Sequence, residues 1–271
     1  MKMGKTINLT LLLSGALLAS AAHAGPFAPA AGKPGSTAIH MDDPSITNWA
    51  TGWQDYNPGP GIASNWLTPD KALGKAVGDS YDIVVLGDQG SITLTFDGYI
   101  YNGDGADFAI FENSFNDTFL ELAFVEVSSN GTDFFRFDAY SFTPSPVSAF
   151  GSVDPTNIDG LAGKYKQGWG TPFDLDSLAG YASDGLDLDH IQYVRLVDIM
   201  GDGSEFDNYP AEYGGPHPIY DPYRTTGSPG FDLDAIGVLH YAPVPEPETY
   251  AMLLAGLGMI SAISRRRRKA A

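Results

Sequence analysis

Between residues 81 and 240 short apolar stretches alternate with Gly, Asn, Asp and Pro, and apolar positions nowhere recur at the three-and-four spacing of a long helix. The clearest stretches are 81–86, 91–96, 107–111, 120–128, 132–137, 191–199 and 231–240. In 91–96, Ile92, Leu94 and Phe96 alternate with Ser91, Thr93 and Thr95, the period-two pattern of a strand with one wet face. Asn130-Gly131, set between Val127 and Phe134, is a strong hairpin turn signal. Seven such strands with one or two weaker ones predict an all-β domain, an antiparallel jelly-roll-like β-sandwich with long loops. Two connections exceed the roughly 12 to 15 residues beyond which a structureless loop usually carries function. One is 143–188, with a short helix expected near 175–181, and the other is 201–230.

The two ends read differently. Residues 1–24 carry Lys2 and Lys5, an apolar run over 7–18, and Ala22-His23-Ala24, which predicts a signal peptide cut by signal peptidase after Ala24. An Ala-, Pro- and Gly-rich leader follows over 25–35, so the β-sandwich domain is expected over 36–243. At the other end Val244, Pro245, Glu246 and Pro247 precede an apolar stretch over 251–263 and then Arg265, Arg266, Arg267, Arg268 and Lys269. That stretch falls short of the roughly 20 residues of a full span, yet its basic flank obeys the positive-inside rule. The expectation is a short C-terminal transmembrane helix that holds the protein at the inner membrane transiently, its basic cluster cytoplasmic.

This ordered series, Pro-Glu-Pro, apolar segment and Arg-rich end, resembles the PEP-CTERM sorting signal of Gram-negative bacteria. The resemblance covers 244–271. It implies processing by an exosortase, a membrane-embedded cysteine protease, and residence at the cell surface or in the extracellular matrix, in hosts that make exopolysaccharide or biofilm. The middle of the chain is similar to a family of bacterial surface proteins without an assigned activity, through VVLGDQGSITLTF (84–96), GADFAIFENSF (105–115), FVEVSSNGTDFFRF (124–137), DPTNIDGLAGKY (154–165) and GFDLDAIGVLH (230–240). Its strand wording is also similar, more loosely, to galactose-binding-like and carbohydrate-binding-module sandwiches.

Charge narrows the partners. The chain has 15 Lys plus Arg against 33 Asp plus Glu, a formal net of −18. Seven of the basic residues sit at the extreme ends, so 25–243 keeps 8 of them against 31 acidic residues, a net of −23. Such a surface repels nucleic acid and attracts cations. There is no Cys, which excludes disulfides, thiolate metal sites and Cys nucleophiles.

The sequence lacks G-x-S-x-G, H-E-x-x-H and P-loop motifs, and its His residues are scattered, so the expectation is a protein that is not an enzyme. Calcium is the expected cofactor, because carboxylates among glycines can curl around a hard cation. The candidates are Asp104 and Asp107 in Asn102–Asp107, Asp202 and Asp207 in the second long loop, and Asp232 and Asp234, which alternate with apolar neighbours and so fall on one side of the last strand. Glu112 and Asn113 are similar candidates. Asp/Gly turn chemistry is the competing reading of the same clusters. Tyr209, Tyr213, Tyr220 and Tyr223 are the expected ligand-binding surface, with Trp49, Trp53, Trp66 and Trp169 as further stacking candidates. A carboxylate-dependent glycan hydrolase would draw on Glu112, Glu121 or Glu126, although Glu121 and Glu126 alternate with apolar residues as a solvated strand face would. The combined expectation is a non-catalytic, calcium-supported glycan-binding or adhesion module, with a purely structural matrix protein and the hydrolase as alternatives.

Overall fold

The computed structural model describes residues 25–244, and of the C-terminal segment Met259 alone. The expected signal peptide, Pro245, Glu246, Pro247, most of the apolar segment and the basic cluster Arg265 to Lys269 lie outside the described residues. Among the described residues no helix is long and apolar enough to cross a membrane.

The described residues form sixteen strands: β1 (Ile39–His40), β2 (Asn48–Trp49), β3 (Gly52–Asn57), β4 (Val84–Val85), β5 (Ser91–Ile100), β6 (Phe108–Glu112), β7 (Ala123–Ser128), β8 (Phe135–Arg136), β9 (Tyr140–Ser141), β10 (Ile158–Asp159), β11 (Trp169–Phe173), β12 (Ile191–Asp198), β13 (Asp202–Phe206), β14 (Pro218–Tyr220), β15 (Asp232–Val238) and β16 (Tyr241–Pro243). One sheet runs β1-β11-β6-β15-β2, with β4 also pairing β15; the other runs β16-β5-β12-β7-β8, with β3 also pairing β5. All of these pairings are antiparallel. Within these two sheets only β7 and β8 are both paired and consecutive in the chain, and the connections β2–β3, β3–β4, β4–β5, β5–β6, β6–β7, β11–β12 and β15–β16 pass from one sheet to the other.

The core lies where the two inner faces meet. Ile92, Leu94 and Phe96 of β5, Val194 and Leu196 of β12 and Val125 and Val127 of β7 close on Phe108 and Ile110 of β6 and on Leu233, Ile236 and Val238 of β15. Each such side chain contributes about 1.5–3 kcal/mol on burial, which holds together a chain without disulfides. The Asn130-Gly131 turn forms between β7 and β8 as its sequence predicts, with Gly131 at φ +74° and the Asn130 side chain accepting from the N–H groups of Thr132 and Asp133.

Both long connections hold more structure than their sequence suggests. Within 143–188 the chain makes β11, whose Gly170 and Pro172 disguise it as a loop. Pro172 is tolerated because β1 pairs only Trp169 and Gly170, which leaves the far side of Pro172 without a strand to satisfy. The expected short helix appears as a 3-10 segment over Leu175–Asp184. Within 201–230, β13 and β14 form a ribbon with Asp202 opposite Tyr220.

The last long strand departs from simple alternation. Its register against β6 slips between Leu233 and Ala235, so Leu233 joins the inter-sheet core while Ala235 packs with Phe111 and Ala109 in a separate cluster. Asp234 sits at that irregularity, next to the end of β6 where Glu112 pairs Leu233.

Candidate functional site

The ends of β6 and β15, the segment entering β7 and the loop over 225–228 meet around a cavity of about 150 Å³, lined by Asn113, Glu121, Asp232, Thr225, Ser228 and Phe119, among others. Its acidic wall is Glu121 and Asp232. Asp232 is the first residue of β15, and Glu112, the last of β6, is an acidic neighbour of Asp232 outside the lining; both are buried. Glu121 lies in the run Phe119 to Leu122, all of it buried, with Glu121 only 3% exposed. The reading of Glu121 and Glu126 as a solvated face is therefore overturned. Gly163 explains the cover over Glu121: at φ +84° its α-carbon presses against the Glu121 carbonyl, with no room for a side chain.

These carboxyls have few partners. One Glu112 oxygen accepts the Ser114 N–H at 2.8 Å, while the other is buried and has no hydrogen-bond partner. Asp232 accepts from the Asn113 amide at 3.1 Å through Oδ2, whereas its Oδ1 is buried and unpartnered. Glu121 accepts the Thr225 hydroxyl at 3.0 Å. Among the described residues none of the three pairs with Lys or Arg.

Burial therefore dominates their titration. It pushes Asp232 up to about 8, against the opposing pull of the Asn113 amide. Burial, then the neighbouring Asp232 charge, raises Glu112 well above the carboxylate range. Glu121 rises for the same reasons, with Glu112 and Asp221 adding to the repulsion. Carboxyls packed this way cannot all ionise together, so near neutral pH the wall presents proton donors beside acceptors.

The other wall is aromatic. Phe115, Phe119 and Phe150 form a stack, with centroids 4.8 Å apart for Phe115 and Phe119 and 6.2 Å for Phe119 and Phe150. Phe119 is buried, while Phe115 and Phe150 are 58% and 75% exposed at the two ends of the stack.

The sequence-predicted residues are distributed as follows. Asp107 is buried, and its carboxylate accepts from the N–H groups of Gly103 and Leu175 and pairs with His240 Nδ1 at 2.6 Å. Asp104 beside it is exposed. Asp207 accepts from the N–H groups of Ser141, Tyr209 and His217 and pairs with the His217 ring at 3.0 Å. Asp202 is exposed and caps the Ser204 N–H. Asp234 is drawn to the N–H groups of Val77 and Gly78, and burial raises it to about 6. Among the described residues no three His, Asp or Glu side chains are arranged to hold a metal ion. Asp107 and Asp207 do not fit calcium, because their oxygens already serve N–H donors and imidazoles.

The four tyrosines do not form one surface. Tyr209 and Tyr213 pack with each other and Tyr209 with Phe142 and His217; the Tyr220 ring covers Gly203; and the Tyr223 N–H reaches the Val147 carbonyl. No Trp lines the cavity: Trp49 packs on Phe111, Trp66 stacks on Tyr81, Trp169 meets His40, and Trp53 donates to Asp70 at 2.7 Å. Glu126 is occupied by Arg136 and Arg195. A second acidic group, Asp88, Asp198, Glu205 and Asp221, is likewise consumed: Asp198 takes the N–H groups of Phe231 and Gln89, Asp221 that of Leu122, Glu205 that of Met200, and Asp88 pairs with Arg224.

Glu112, Asn113, Glu121 and Asp232 were thus legible as candidates, whereas Phe115, Phe119, Phe150 and the hydroxyls of Thr225 and Ser228 were not. Acids embedded in apolar runs, as in Leu120-Glu121-Leu122 and Phe231-Asp232-Leu233, are the signal that marks the wall.

Residues 243–269 match the model of the PEP-CTERM protein-sorting motif. The chain therefore carries the mark of an exported, exosortase-processed protein of the cell surface. Comparisons with curated proteins and with solved structures gave no match.

Proposed function

We propose that the β-sandwich is a non-catalytic glycan-binding module, cut at both ends during export by signal peptidase and exosortase, held briefly at the inner membrane and then placed in exopolysaccharide at the cell surface. The observation that carries this reading is the cavity itself, where exposed faces of Phe115 and Phe150 border the carboxyls of Glu121 and Asp232, the Asn113 amide and the hydroxyls of Thr225 and Ser228. Stacking planes beside a few convergent polar groups suit a sugar ring, which is apolar on its faces and polar at its rim. At about 150 Å³ the cavity is below the roughly 300–1,000 Å³ of a drug-sized site, so it takes one residue of a polymer rather than a run.

Calcium has a smaller part here than the sequence suggests: it acts as a counter-ion to the acidic surface, and melting at fixed ionic strength should be the same in calcium and in chelator. A glycan array probed with the full chain and with Phe150→Ala tests binding. Loss of signal on truncating Phe150 supports the pocket. An empty array leaves the structural matrix protein as the better account.

A second reading has one observation in its favour. Asp232, raised to about 8 beside other carboxyls, has the protonation state that a glycosidase's general acid requires. Release of new reducing ends from a labelled exopolysaccharide, lost in Asp232→Asn, would favour it.

A further inference from the structure

We propose that the group seated against Asp232 and Glu121 is an organic ammonium, and that the sugar this pocket selects is an amino sugar with a free, protonated amine. This rests on the glycan-binding reading and names the class of sugar.

Every other deeply buried acid described above is matched by N–H groups, an imidazole or a guanidinium. Asp232, which lines the cavity, has its Oδ1 buried with no donor, as has Glu112 Oε1 next to the lining, and among the described residues no Lys or Arg approaches either. A buried carboxylate without a donor is costly, and an ammonium brings three donors and a positive charge in one small group.

The aromatic wall decides between kinds of cation. A calcium ion needs six to eight oxygens and gains nothing from phenyl rings, whereas an ammonium on a sugar ring is attracted by ring faces while the sugar's apolar face stacks on them. Phe115 and Phe150 supply such faces at the mouth of the same cavity. A neutral N-acetyl group offers a single N–H and no charge, whereas an ammonium offers three donors and the counter-charge that lets a buried carboxyl give up its proton. A net charge of −23 over 25–243 further raises the local concentration of cations.

The test titrates the full chain, purified in detergent, with a β-1,4-linked glucosamine tetramer and with its fully N-acetylated counterpart, in 1 M NaCl where the Debye length is ~3 Å and general attraction to the acidic surface is screened. A charged hydrogen bond contributes about 1.5–3 kcal/mol, so the free amine should bind about ten- to a hundredfold more tightly. Asp232→Asn and Phe150→Ala should each remove most of that preference; Phe150, three-quarters exposed, can be truncated without disturbing the fold. Millimolar calcium should not compete. Equal binding of the two tetramers, both weakened by Phe150→Ala, overturns the ammonium and leaves the glycan reading standing. Binding of neither overturns both. A preference that survives both substitutions, or is displaced by calcium, also overturns it.

Discussion

Asp232→Asn should flatten the pH dependence of folding, and the magnitude follows from burial. Asp232 has an ordinary value of 3.8 and is raised to about 8 in the fold. Between those two values the native state keeps a proton that the unfolded chain has released, so the native state binds more protons and stability falls as pH rises. The favourable contribution is fully present below pH ~4 and gone above pH ~8. At 1.36 kcal/mol per pH unit the whole interval amounts to up to about 6 kcal/mol, a large share of the 5–15 kcal/mol of a typical domain. Glu112 and Glu121 shift in the same direction and steepen the fall; Asp234, raised to about 6, adds its part between pH ~4 and ~6. Exposed Asp43 and Asp79, lowered by N–H donors from Ser45 and from Tyr81 and Asp82, act oppositely and only in more acid solution. Urea midpoints measured from pH 5 to 8 should therefore decline steadily in the parent chain and decline much less in Asp232→Asn, the two converging at the acid end. Parallel curves, or a parent chain most stable near pH 8, would refute the claim that this carboxyl is held protonated by burial.

Gly163→Ala should destabilise by at least ~2 kcal/mol, since a left-handed φ strains any side chain and the new methyl would lie 1.9 Å from the Glu121 carbonyl; thermal melting decides, and a change within about 0.5 kcal/mol would contradict the packing. Asp107→Ala should cost on the order of 3 kcal/mol by stranding the N–H groups of Gly103 and Leu175, read as a drop in the urea midpoint. Thr226→Lys, at an exposed position lining the cavity, should supply the missing cation from within, raising stability at pH 7 by ~1 kcal/mol while abolishing binding of glucosamine oligomers by calorimetry. Replacing Pro245, Glu246 and Pro247 with Ala should leave the unprocessed chain in the membrane fraction, visible as a larger band on immunoblots.

Seven strands were legible because their β-branched and aromatic residues alternate between turn residues. β11 was hidden by Gly170 and Pro172, whose tolerance depends on how far β1 extends beside it, a fact of tertiary structure. The site was half legible for a similar reason. Alternation placed Glu121 and Glu126 on one strand face and could not show that this face is covered at Glu121 by the 161–163 segment, which bridges to Ala123, and at Glu126 by two arginines. The acid pairs chosen for calcium share sequence neighbourhoods, yet each carboxylate is spent on a different backbone segment.

The chain handles a buried acid in two ways, and the exception locates function. With only eight basic residues in 25–243, guanidinium partners are scarce and go to Glu126 and Asp88. Asp107, Asp198, Asp207 and Asp221 instead collect N–H groups from loops that cross between sheets, and so act as fasteners for those connections. Both solutions leave an ionised or hydrogen-bonded carboxylate with a structural task. Glu112 and Asp232 each keep one buried oxygen without a donor, and Asp232 does so at the cavity bordered by the phenylalanine stack. Satisfying them internally would take a single lysine from a surface that has room for one at Thr226. A fold that instead carries an under-matched carboxyl to a cavity has its polarity arranged for something that arrives from outside, and a cation is the visitor that lets that carboxyl ionise.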